Sequence, residues 1–229
     1  MSDAATSDPT PGTNPARQPR GRWPLLTRVI VILGILVVLG FLFERSLQDT
    51  RSEPYTVAAD RGGGWKVALE PASNPTVALT LRPMTDLVPD LFSQVFKRAM
   101  ESLTRPTDEG IPLVLRDEYD RAFAGRTTPE ALAAAARDAG LETATIAPRC
   151  LGYRRISEPR RTRQVYFALF DAPAFARFRQ QIAAGAAAGF EADAQSPVLF
   201  IAASDEAFGQ WLPLRANPDK DCLAPITAR

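Results

Sequence analysis

Histidine is absent from all 229 residues. That removes Ser-His-Asp and Cys-His catalysis, His-ligated zinc and haem, and imidazole as a switch near neutral pH. Cysteine is nearly absent too, and two residues, Cys150 and Cys222, cannot build a four-thiolate metal site. Lysine is confined to Lys66, Lys97 and Lys220, which disfavours a Ser-Lys dyad. No excess of one charge is present: 27 Lys+Arg against 26 Asp+Glu leave a net +1, which argues against a nucleic-acid binder working through bulk charge. There is no G-x-S-x-G, and Gly62-Gly63-Gly64 lacks the GK[ST] ending of a phosphate loop. The sequence implies no cofactor, no metal and no nucleic-acid partner.

Apolar residues, by contrast, are plentiful at 45%, with 23% charged, so most of the chain can bury a core. They are most concentrated from Leu25 to Phe43, where fifteen of nineteen positions are Leu, Ile, Val or Phe. A helix of that length spans about 28 Å, close to a hydrocarbon core of about 30 Å. Its single charge, Arg28, lies one turn from the end and can reach the headgroups. No small-x-small cleavage site and no cysteine follow closely, so the expectation is an uncleaved anchor contacting the bilayer through residues 24–43. Arg17, Arg20, Arg22 and Arg28 precede the span and only Arg45 and Arg51 follow it closely. This asymmetry places the N-terminus in the cytoplasm and the bulk of the chain outside the inner membrane, in the periplasm or beyond.

Around the span, residues 1–22 are Pro-, Ser-, Thr- and Arg-rich and read as a disordered cytoplasmic tail. Residues 44–54 read as a connector and 55–229 as one extracytoplasmic domain with 21 basic and 21 acidic residues. Tyr55–Ala59, Trp65–Glu70 and Thr76–Arg82 read as strands of a meander. Asp86–Leu103 reads as a helix capped by Thr85 or Asp86, with Val88, Leu91, Phe92, Val95, Phe96, Ala99 and Leu103 facing the core. After the brief apolar run Ile111–Leu115, a short helix over Arg116–Ala124 is expected. A second helix is opened by a Thr127–Glu130 capping box and closed at Gly140. Thr143–Ile156 and Arg163–Phe170 read as a hairpin, its second strand apolar on both faces and so covered on both. A helix capped by Asp171 and a last strand, Val198–Ala202, complete the pattern, leaving the C-terminus irregular. The class is α+β, and the element order from Thr76 is that of a split βαβ, or ferredoxin-like, arrangement with a helical insertion at about 105–142.

Three groups of residues could carry chemistry. Cys150 and Cys222 can form a disulfide in an oxidising compartment, closing a loop of about 70 residues. Arg149, Arg154, Arg155, Arg160, Arg161 and Arg163 surround the expected hairpin turn, and their forks suit phosphate or carboxylate. Asp117, Glu118 and Asp120 lie close together on a short helix and could serve acid–base chemistry. The favoured reading is a non-enzymatic, single-pass component of a bacterial envelope assembly or secretion complex that binds a protein partner. A binding module for an anionic lipid or glycan, using the arginine hairpin, and a carboxylate-dependent hydrolase are the alternatives.

Overall fold

The computed structural model describes residues 25–58, 64–159 and 161–228. The expected tail, Gly62, Gly63 and Arg160 lie outside them. The chain divides between Glu44 and Arg45 into two units. Helix α1, Leu25–Ser52, accounts for the described part of the first and runs on into the second. Its stretch Thr27–Ser46 has a mean hydropathy of 2.3 and no buried residue, so it has the length and composition of a membrane span or a signal sequence.

The second unit is a mixed α/β structure built on two sheets. Its strands are β1 (Tyr55–Val57), β2 (Trp65–Leu69), β3 (Val77–Pro83), β4 (Ile111–Leu115), β5 (Ala147–Ser157), β6 (Thr162–Asp171), β7 (Val198–Ala203) and β8 (Cys222–Ala228). Its helices are α2 (Leu87–Ala99), α3 (Arg116–Ala122), α4 (Pro129–Asp138), α5 (Pro173–Ala183) and the single turn α6 (Pro218–Asp221). One sheet runs β1-β8-β5-β6-β7 and the other β2-β3-β4. Every pairing is antiparallel except β1 with β8.

This is not the single sheet of a split βαβ. That arrangement needs β3 beside the hairpin strands, but β3 is flanked by β2 and β4, while β7 takes the free edge of β6. The run Ile111–Leu115 is the reason: all five residues are buried, and it pairs along β3 as a strand in its own right. The expected three-strand meander breaks at its first member as well, because β1 joins β8 in the other sheet.

The C-terminus is ordered rather than irregular. Pro225 makes the sequence there resemble a loop, since proline donates nothing to a ladder. The structure accommodates it by dividing the partners of β8: Cys222, Ala224 and Pro225 register with β5, and Ile226 to Ala228 register with β1.

Strand β6 carries apolar residues on both faces and is buried on both, as its sequence requires. Tyr166, Ala168 and Phe170 join the main core with α2 and α5. Val165, Phe167 and Leu169 join a smaller core with Cys150, Trp211 and Leu214. Gly152 on β5 lies against the Phe167 ring, which any Cβ at that position would strike. Helix ends differ from expectation by small amounts. α4 is capped by the Thr128 side chain, which accepts from Ala131 N at 3.2 Å, rather than by Thr127. α5 begins after Ala172 with Pro173 in its first turn and no side-chain cap from Asp171. α2 stops at Ala99, short of Leu103, with Met100 in a left-handed conformation.

Candidate functional site

The β5–β6 hairpin forms with Arg154 opposite Val165, Arg155 opposite Gln164 and Ile156 opposite Arg163. Cross-strand partners share a face and alternate residues change face. Arg154 and Arg163 therefore lie on the side of the smaller core, and Arg155 lies on the other. The sequence cluster is thus split by the pleat.

The described guanidiniums on the smaller-core side are taken up by carboxylates of the same domain. Arg154 grips Asp221 with two parallel bonds, Nε to Oδ1 at 3.1 Å and Nη2 to Oδ2 at 2.7 Å. Arg163, with its side chain 7% exposed, bonds Asp205 at 2.8 and 3.3 Å and lies over the Trp211 ring. Arg161 bonds Glu158 at 2.9 Å, and Arg149 stands 3.6 Å from Asp171 in an exposed pair. Only Arg155 is exposed without an ion-pair partner among the described residues; Arg160 lies outside them.

Proton affinities follow these contacts. The Arg163 hydrogen bond holds the Asp205 carboxyl below the usual carboxylate range, against the opposing effect of burial. The bond from Arg154 does the same for Asp221. The Arg163 guanidinium is held more firmly protonated in return. Glu109, on the connection into β4, moves the other way: burial raises it, and Arg105 at 3.4 Å offsets part of the rise.

The disulfide expected between Cys150 and Cys222 is present, with a Cα–Cα distance of 5.7 Å across a sequence separation of 72. It links β5 to the start of β8. Because β8 pairs with β1, the bridge also secures the strand three residues beyond α1.

The acidic trio separates. Asp117 and Asp120 are exposed, whereas Glu118 is buried. Glu118 accepts from Leu115 N at 2.9 Å and from Arg179 at 2.6 and 3.1 Å. Arg179 has no exposed surface, and it also donates to the carbonyls of Leu113, Glu191 and Ala192. The pair therefore ties α5, α3 and the end of β4 together. A cavity of about 340 Å³ touches Asp117, Glu118, Arg121 and Glu191 but not Asp120, so the i, i+3 pair does not converge on it. An adjoining cavity of about 160 Å³ holds Glu70, which Arg82 grips at 2.8 and 3.0 Å and to which the Thr80 hydroxyl donates.

The sequence reading missed the inner flank of α2. Gln94 accepts from Thr56 N at 3.0 Å and donates to Thr56 O at 2.7 Å, the two bonds a neighbouring strand would make. One turn on, Arg98 donates to Glu53 O at 2.6 Å and Pro54 O at 3.1 Å and lies 4.2 Å from the centre of the Tyr55 ring. Together they clamp the segment that leaves α1. The signal available was the i, i+4 spacing of Gln94 and Arg98 on one helix face. The other flank of α2 departs from expectation too. Phe96 is 49% exposed rather than core-facing, because Leu87, Val88, Leu91, Val95 and Ala99 alone fill the buried face.

Comparison with protein families, with curated proteins and with solved structures finds no match to this chain.

Proposed function

We propose that this chain is a single-pass protein of a bacterial inner membrane whose outer domain is a non-catalytic, protein-binding component of an envelope assembly or secretion complex. One observation carries the reading: a disulfide-bonded α/β unit follows directly on a helix whose apolar stretch has no buried residue. Disulfides persist in oxidising compartments, which agrees with a domain delivered across the membrane. The arginine asymmetry about the span supports a cytoplasmic N-terminus.

The non-catalytic part rests on what the polar groups are doing. Glu118 and Glu70 are engaged by guanidiniums, and both thiols are consumed in the bridge. Such groups hold structure. The arginine hairpin is a weak candidate for a lipid or glycan site, since most of its described charges already have carboxylate partners.

Alkaline carbonate extraction of membranes should leave the chain in the pellet, and protease added to spheroplasts should digest its C-terminal domain. A membrane-impermeant crosslinker applied to intact cells should give discrete adducts with another protein. Release by carbonate overturns the anchor. Protection from protease overturns the orientation, and a chain that remains unadducted overturns the scaffold role.

A further inference from the structure

The outer face of α2 combines features that its packing does not explain. Phe96 is 49% and Met100 69% exposed, four residues apart on one side of the helix, with exposed Lys97 between them. Phe92 stacks on Phe96 at 5.8 Å between ring centres, extending the apolar strip. Met100 ends the helix at φ 53°, a conformation that suits glycine or asparagine and costs any other side chain. At that position methionine costs stability, and its side chain is 69% exposed.

Beside this strip stands Lys97, exposed and with no ion-pair partner among the described residues. The position of α2 along the chain is also constrained. Its Gln94 and Arg98 hold Glu53, Pro54 and Thr56, and Glu53 follows the last residue of α1. From Ser46, where the apolar window ends, the helix runs six residues to Ser52. At 1.5 Å per residue that is roughly 10 Å of tether.

We propose that this face of α2 rests on the headgroup region of an anionic bilayer, with Phe96 and Met100 entering the interface and Lys97 meeting lipid phosphates. The inference builds on the single-pass reading above and assigns the surface through which the outer domain meets the membrane. Aromatic and thioether side chains bordered by a cation suit an interfacial helix, whose binding adds apolar burial to attraction for anionic lipid. The short tether supplies the high local concentration that a strip this small requires.

The test uses the full chain in liposomes containing brominated phosphatidylcholine, with Trp23→Phe removing one indole; Trp65 and Trp211 are buried. Phe96→Trp and, as a second probe, Met100→Trp place an indole in the strip, and Gln181→Trp at an exposed position of α5 is the control. Quenching at 96 and 100 should exceed that at 181 by about two-fold or more, increase when phosphatidylglycerol is included, and fall with Lys97→Glu. Equal quenching at all three positions would show mere tethering and overturn the proposal. So would unquenched strip probes in a chain that self-associates, which would assign the face to a second copy. If carbonate had already released the chain, it is the anchor reading that fails; a retained chain with unquenched strip probes overturns this inference alone.

Discussion

The β5–β6 hairpin and helix α2 both carry cationic side chains of the second unit, and they treat those charges in opposite ways. At the hairpin, Arg149, Arg154, Arg161 and Arg163 each meet a carboxylate of the same domain. On α2, Lys97 meets none and Arg98 meets only carbonyls and a ring. The denser cluster in the sequence is therefore the less available one. A guanidinium engaged by a carboxylate contributes little field and must break that pair before binding an external anion, whereas one engaged by carbonyls keeps its full charge. Density of arginine along a chain predicts a patch only when the fold supplies no acids opposite it.

The firmest test of the hairpin as a structural rather than a ligand-binding element is its covalent end. Replacing both cysteines, Cys150→Ala with Cys222→Ala, should lower stability by about 4 kcal/mol for a closed loop of this length. Urea titration of the full chain in detergent, followed by the fluorescence of Trp65 and Trp211, measures it. A loss below about 1 kcal/mol would mean that the β8 pairings hold the sheet without the bridge.

Next in size is the Arg163–Asp205 pair. Asp205→Asn removes the negative charge and one of the two acceptor oxygens facing a guanidinium whose side chain is 7% exposed, and should cost about 2–3 kcal/mol. The pair also has a pH signature of definite sign. Asp205 binds its proton less readily folded than unfolded, so its contribution is complete above about pH 4 and disappears as pH falls through the lower folded value. Acid titration should show the wild type losing stability below about pH 4 and Asp205→Asn losing less over the same range. Parallel acid limbs would place the transition in other carboxylates.

Much of the fold was legible because its signals are local. The apolar period of α2, the two-sided apolarity of β6 and Gly140 closing α4 at φ 79° follow from nearest-neighbour geometry. What was not legible depends on distant pairing. Ile111–Leu115 is only a brief apolar run within an expected helical insertion until β3 offers it an edge, and Pro225 looks like a breaker until β8 is seen to change partners beside it. The same holds for the site residues. Nothing in the sequence says that Asp205 and Asp221 come to the hairpin from beyond residue 200, nor that Gln94 closes the outer edge of Thr56. The disulfide was legible because, with only two cysteines, a single pairing exists.

The smallest expected effect sharpens the comparison most directly. Arg155 is exposed with no ion-pair partner among the described residues, and the side chain of Arg161 is 57% exposed beside Glu158. Exposed pairs of this kind are worth about 0–1 kcal/mol, so Arg155→Ser with Arg161→Ser should move the urea midpoint by less than the equivalent of about 0.5 kcal/mol. The double variant should also leave the association of the full chain with phosphatidylglycerol-containing liposomes unchanged, while Lys97→Glu reduces the anionic-lipid dependence of quenching at position 96. If the hairpin variant removed that lipid dependence and the α2 variant did not, the available positive charge would lie on β5 and β6, and the contrast between the two regions would be reversed.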